Sequence, residues 1–83
     1  MNLVEGDIVR IEPLDNDEKN EYPHGWNLKM DQYLGETTKI LSIVSYSGEP
    51  SEEDEYYLEC DDCEFMWSCI HLTKVEPQKL QLF

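Results

Sequence analysis

Three cysteines and one of the two histidines fall in a C-x2-C-x5-C-x-H spacing: Cys60, Cys63, Cys69 and His71. Three thiolates and one imidazole make a known structural zinc set. Two features argue against it here. Cys60 and Cys63 flank Asp61-Asp62, the connection of an expected hairpin, so ordinary sheet geometry would bring them face to face without a metal. Returning Cys69 and His71 to them would need a chain reversal within five residues that include the apolar Phe65 and Trp67. The expected metal and cofactor content is none, with the thiols packed or at the surface. Catalysis by a nucleophile has no better footing. His24 sits beside Gly25 in a loop, His71 borders a strand, and no Ser or Cys has a strand–turn–helix context. The run Asp15-Asn16-Asp17-Glu18 resembles the start of a calcium loop. It lacks the glycine at the sixth position and the glutamate at the twelfth, and reads as a solvated loop. The chain is expected not to be an enzyme.

The charge is more telling. Nine of the sixteen residues from Glu49 to Glu64 are carboxylates, with no Lys or Arg among them, in a chain of 83 residues and formal net charge −13. Such a potential repels nucleic acid and anionic membranes and attracts basic protein surfaces. Part of the block falls on an expected hairpin, where a strand would hold the carboxylates at fixed spacings, as a duplex holds phosphates. The expected partner-binding residues are Glu52, Glu53, Asp54, Glu55, Tyr56, Glu59, Asp61, Asp62 and Glu64. Tyr56 and Tyr57 are adjacent on a strand, so if one points inward the other points outward. A tyrosine bordered by acids suits an interface anchor. Tyr22 and Tyr46 share this character, whereas Trp26, Tyr33, Phe65 and Trp67 read as core.

The length allows one domain, with a core from about residue 6 to 75 and a tail over 76–83 whose order is left open. Ile8 to Leu14 alternates, with Val9 and Ile11 on one face, and reads as a strand. A long loop over Asp15–Glu21 follows. Trp26, Met30, Tyr33 and Leu34 then mark one stripe of a short α-helix, with Asn27 as N-cap and Gly35 as the left-handed residue after its end. Thr37 to Tyr46 is β-branched and strand-like. Tyr56–Cys60 and Cys63–Trp67 form the hairpin about Asp61-Asp62, Ser68–His71 a 3₁₀ turn, and Leu72–Val75 a last strand. Five short strands and one small helix predict a small antiparallel barrel, which leaves no exposed edge. An odd cysteine count and the absence of a signal sequence or an apolar membrane span predict a cytoplasmic protein.

The residues Gly6-Asp7-Ile8-Val9-Arg10-Ile11, Met30-Asp31-Gln32-Tyr33-Leu34-Gly35, Ile40, Tyr57-Leu58, Asp61-Asp62, Phe65, Trp67 and Leu72 together resemble the small SH3-like barrels of the mind bomb SH3 repeat type. Short versions of these barrels occur in bacteriophage proteins. The chain departs from that pattern in two long acidic loops and in Trp67-Ser68-Cys69-Ile70-His71-Leu72, where relatives often carry an acidic ending. The resemblance implies a non-catalytic binding module. With the charge, it leads to an expected phage-type inhibitor that binds a host nucleic-acid-binding protein, such as a CRISPR or restriction nuclease, a polymerase or a repair enzyme. The acidic face would act as a nucleic-acid mimic, in a monomer or small homo-oligomer with no direct contact to nucleic acid or membrane. The rivals are an SH3-like adaptor that reads a short peptide between the loop after the first strand and the hairpin, and an oligomeric small-molecule sponge.

Self-repulsion of this size destabilises the compact state and is screened by salt. The melting temperature should rise as sodium chloride goes from low to physiological concentration, read by circular dichroism. A fall over that range would count against a dominant repulsive term.

Overall fold

The computed structural model describes residues 3–46, 48, 51 and 53–75. Its strands are β1 (Ile8–Ile11), β2 (Thr37–Val44), β3 (Glu55–Leu58) and β4 (Leu72–Lys74), joined in one antiparallel sheet in the order β3-β2-β1-β4. An α-helix, α1 (Asn16–Asn20), and a 3₁₀ helix (Leu28–Tyr33) lie in the β1–β2 connection, and a 3₁₀ turn (Cys69–His71) leads into β4. Among the described residues the sheet has four strands and is not closed, rather than the five strands and closed barrel expected.

The core follows the alternation of the strands. Val9 and Ile11 of β1 are fully buried, as are Ile40 of β2 and Leu58 of β3, together with Met30 and Trp67. β2 breaks the alternation once. Its register passes from Ile40 opposite Leu58 to Ser42 opposite Tyr57, which leaves Leu41 as an extra, exposed residue. That bulge reverses the facing of the later β2 residues, so Ile43, three residues from Ile40 rather than two or four, packs against the core. β1 is four residues long, not the seven expected to Leu14. Beyond Ile11 the chain turns to the 3₁₀ turn, the Glu12 N–H donating to the His71 carbonyl at 2.8 Å.

Two local expectations are corrected by capping chemistry. The run after Asp15 is helical rather than a loop. The Asp15 carboxylate accepts the Glu18 N–H at 2.8 Å, and the Glu18 carboxylate accepts the Asp15 N–H at 2.9 Å, a reciprocal capping box. These acids close a helix end instead of opening a calcium site. Trp26 to Leu34 is a 3₁₀ helix over Leu28–Tyr33 rather than an α-helix. Three residues per turn set Met30 and Tyr33 on one side, toward the core. Asn27 caps it, its side chain accepting the Lys29 N–H at 2.8 Å. Gly35 comes next with φ +87° and donates to the Ile11 carbonyl at 2.6 Å, a left-handed geometry that glycine adopts without strain.

The hairpin expected over Tyr56–Trp67 is the largest departure. β3 ends at Leu58, Asp62 and Cys63 take positive φ of 55° and 62°, and the chain returns only to pair Trp67 with Tyr56. The cause is Asp61. Its Oδ2 accepts the indole N–H of Trp67 and the Phe65 N–H, each at 2.9 Å. A carboxylate read as a surface turn residue therefore points inward and folds the loop around itself. Cys60 and Cys63 consequently do not oppose each other on paired strands.

Removing Asp61 orphans one buried and one half-buried donor, which costs about 2–4 kcal/mol. Asp61→Ala should lower the unfolding free energy by that order in urea denaturation. Asp61→Asn, which keeps an acceptor, should lose clearly less. Equal losses in both variants would show that the hydrogen bonds do not organise the loop.

Candidate acidic interface

Eight of the nine residues expected to bind a partner are described, and they divide into three groups. Tyr56, Asp54 and Asp61 are buried, at 3 %, 3 % and 5 % exposure, and cannot present themselves to a partner. Asp54 accepts the Ser51 N–H at 3.2 Å and, like Asp61, holds its own loop. Glu55 is half-buried, and its carboxylate accepts the hydroxyls of Tyr46 and Tyr57. Those two hydrogen bonds, Tyr46 first, hold it below the usual carboxylate range, and the bond to Glu55, with burial, raises Tyr57 to about 12. Glu53, Glu59, Asp62 and Glu64 are exposed. Glu52 lies outside the described residues, as do Glu49 and the tail over 76–83.

Glu59, Asp62 and Glu64 share the tight loop after β3. Its backbone closes on itself through Asp62 N–H to the Glu59 carbonyl at 3.1 Å, Cys63 N–H to Leu58 at 3.1 Å and Glu64 N–H to Asp61 at 3.0 Å. Glu36, just ahead of β2, adds to the same field. Burial first, and then the carboxylates of Asp61, Glu64 and Glu36 with Cys60 among them, push the Tyr33 phenol above its ordinary value. Sequence reading missed Glu36, because only the pairing of β2 with β3 brings it near this loop.

Lys39 of β2 is the cation beside this loop, its carbonyl accepting the Glu59 N–H at 3.0 Å, and the paired cations stand elsewhere. From Ile40 to Thr73 the chain has no Lys or Arg. The ion pairs among the described residues are Arg10–Glu12 at 2.9 Å, Lys19–Asp31 at 2.9 Å and Lys74–Asp7 at 3.6 Å. None neutralises Glu53, Glu59, Asp62 or Glu64. Pairs at or near the surface add little stability, but they consume three of the chain's six cations.

Cys60, Cys63, Cys69 and His71 are not brought together. Among the described residues no group of three or more His, Cys, Asp or Glu side chains could hold a metal ion. Cys63 is exposed. Cys60 is half-buried, and burial pushes its thiol up, with Asp61 and Glu36 adding to the rise and the Thr38 hydroxyl opposing it. Both ring nitrogens of His71 are occupied. Nδ1 meets the Glu12 carbonyl at 2.9 Å, and Nε2 meets the Tyr22 hydroxyl at 2.7 Å. A carbonyl only accepts, so Nδ1 carries the proton and the neutral ring accepts from Tyr22 at Nε2. The Tyr22 oxygen in turn accepts the Ser68 N–H at 2.6 Å. Tyr22, expected as an interface tyrosine, is thus a buried latch that ties the β1–β2 connection to the turn before β4. Trp67 is buried as expected, and Trp26, Tyr33 and Phe65 pack half-buried against the core.

No protein-family model, curated protein or solved structure matches the chain. No helix among the described residues is long and apolar enough to cross a membrane.

Burial drives the His71 imidazole below its ordinary value of 6.5, outweighing the backbone carbonyl of Glu12 and the carboxylates of Glu18 and Glu12, which act the other way. A base with a lowered folded pKa binds fewer protons folded than unfolded, so stability is full above the unfolded value and drains as pH falls below it. The unfolding free energy should be flat above about pH 7 and decline from about pH 6.5 toward 5, before the carboxylates titrate. In His71→Gln that slope should vanish. A parent profile already flat over this window would exclude a buried neutral His71.

Proposed function

We propose that this chain is a non-catalytic binding protein that occupies the basic, nucleic-acid-binding surface of another protein. Glu59, Asp62, Glu64 and Glu36 would stand where phosphates would stand. The observation that carries this reading is that exposed carboxylates which take part in none of the ion pairs among the described residues sit on a loop locked by backbone hydrogen bonds and by Asp61. A mobile acidic segment would have to be ordered on binding, at a cost in affinity. Carboxylates on a pre-formed loop avoid most of that cost, while their long-range field speeds encounter with a cationic partner.

The same reading takes the domain as SH3-like. The order β3-β2-β1-β4 and the 3₁₀ turn leading into β4 agree with such a barrel whose missing strand has shrunk to the Trp67–Tyr56 bridge. A small, acidic protein with no catalytic set assembled among its described residues suits an inhibitor of a nuclease, polymerase or repair enzyme, as a virus or mobile element would use. Fold alone does not select the target.

Charge reversal of the exposed residues tests the face without touching buried Asp61. Glu59→Lys, Asp62→Lys and Glu64→Lys together should leave the thermal melt no lower than the parent's, because they relieve repulsion. Binding to a nucleic-acid-binding partner, captured from bacterial lysate and competed by duplex DNA or RNA, should weaken by about a hundredfold, since like charges brought together cost several kcal/mol. A folded triple variant that binds as tightly as the parent would reject this loop as the contact face.

A further inference from the structure

At the opposite end of β3 from that loop, the β1–β2 connection and the segment before β3 enclose an open hollow of about 360 Å³. Pro23 and His24 form one wall, and Tyr46, Glu53 and Glu55 form the other. These pieces come from three separate parts of the sequence, and among the described residues no Lys or Arg lines the space. We propose that the hollow accepts one arginine side chain of a protein partner, with its guanidinium flat on the Tyr46 ring and paired to the Glu53 and Glu55 carboxylates.

Each wall is held before any ligand arrives. Tyr46 is 68 % exposed, yet its hydroxyl is already bonded to Glu55, so an aromatic face is offered to solvent in a fixed place. Glu55 receives the two tyrosine hydroxyls on different oxygens, Tyr46 on Oε2 and Tyr57 on Oε1. A carboxylate has about four lone-pair sites, so acceptor capacity remains for a third donor. The Glu53 N–H is tied to the Ser51 hydroxyl at 3.1 Å, which leaves its exposed side chain at the rim. Across the hollow, His24 Nε2 lies 2.9 Å from the Asp54 carbonyl. A carbonyl can only accept, so Nε2 carries a proton and donates it to Asp54.

Acceptors and anions around an aromatic face exclude an anionic ligand, and no set of three donors fits a metal ion among the described residues. Between the two cationic side chains the geometry favours arginine. A planar guanidinium stacks on a ring while its in-plane N–H groups reach carboxylates at the edge, whereas an ammonium is a compact point charge. This proposal shares with the nucleic-acid-mimic reading the premise of a basic partner, but it places one specific contact on different residues. The loop Glu59–Glu64 supplies attraction, and the hollow reads a side chain.

The test is an NMR titration of the ¹⁵N-labelled full chain with the blocked tripeptide acetyl-Gly-Arg-Gly-amide, beside its citrulline analogue, which keeps the shape and loses the charge. Saturable shifts are expected at Tyr46, Glu53 and Glu55, with binding at least about tenfold weaker for citrulline and for the Glu53→Lys variant, as expected when attraction becomes repulsion. Tyr46→Leu, checked for an otherwise unchanged amide spectrum, should lose the response as well. In the Glu59→Lys/Asp62→Lys/Glu64→Lys protein the peptide should bind within about twofold of the parent, because those charges lie beyond a Debye length or near it. Shifts centred on Glu59–Glu64, a response equal for citrulline, or no saturation would each overturn the hollow as an arginine site. None of these results depends on whether the acidic loop captures a nucleic-acid-binding protein, so the two readings fail separately.

Discussion

A carboxylate placed inside a very small core sets the shape of this protein. Asp61 sits at 5 % exposure with one oxygen holding the Trp67 indole and the Phe65 amide, while Oδ1 is buried with no hydrogen-bond partner among the described residues. Taking an ionisable group out of water is costly unless its hydrogen bonds are made. Here they are half made. The return is a loop that carries Trp67, the largest fully buried side chain, back to Tyr56 through a single bridge. An apolar residue at position 61 would lower the desolvation cost but would leave the indole N–H and an amide without acceptors. The arrangement exchanges some stability for one defined path of the chain.

The same device recurs wherever a long connection must be pinned to a sheet of four short strands. Tyr22, His71 and Ser68 form a second buried polar set, and Asp54 with Ser51 a third. The nine buried apolar residues among those described cannot by themselves specify the course of connections as long as that between β1 and β2. Hydrogen bonds add little net stability, but they are expensive to leave unmade. Buried polar partners therefore select one arrangement of the connections among many that bury similar apolar area. The aromatic rings around them, Trp26 edge-on to Tyr22 at a centroid separation of 5.1 Å and to Trp67 at 6.0 Å, fill the space between latch and sheet.

This division of labour explains how much is legible in the sequence. β1, β2, the last strand, the Asn27 cap and Gly35 are legible because each depends on near neighbours: alternation, β-branching, or one cap residue. α1 is hidden because it has no apolar period and no buried residue, and only the reciprocal Asp15–Glu18 pair announces it. The bulge at Leu41 is written in the three-residue step from Ile40 to Ile43, a spacing that strand alternation does not allow. Asp54 and Asp61 are not legible as interior groups. Nothing local separates them from Glu53 or Asp62, and the partners that draw them inward are fixed only once the loops close. Tyr22 and His71 lie 49 residues apart, and no short-range pattern links them.

Once two of the acids are withdrawn into the interior, the remaining exterior is not uniformly negative. Arg10, Lys19 and Lys74 are drawn into pairs with Glu12, Asp31 and Asp7, so the β1–β4 side and the α1 region are partly neutralised. The stretch from Ile40 to Thr73 has no cation to spare for such pairing. The resulting asymmetry gives the molecule a direction in an external field, which a net charge alone would not. Field and shape then act at different ranges. Attraction between exposed charges fades within about 8 Å at physiological salt, so it can orient an approaching basic surface but discriminates poorly among such surfaces. Discrimination requires desolvated contact with fixed groups. The half-buried Glu55, clamped by two tyrosines, is far better suited to that contact than the solvated carboxylates of the loop beyond Leu58.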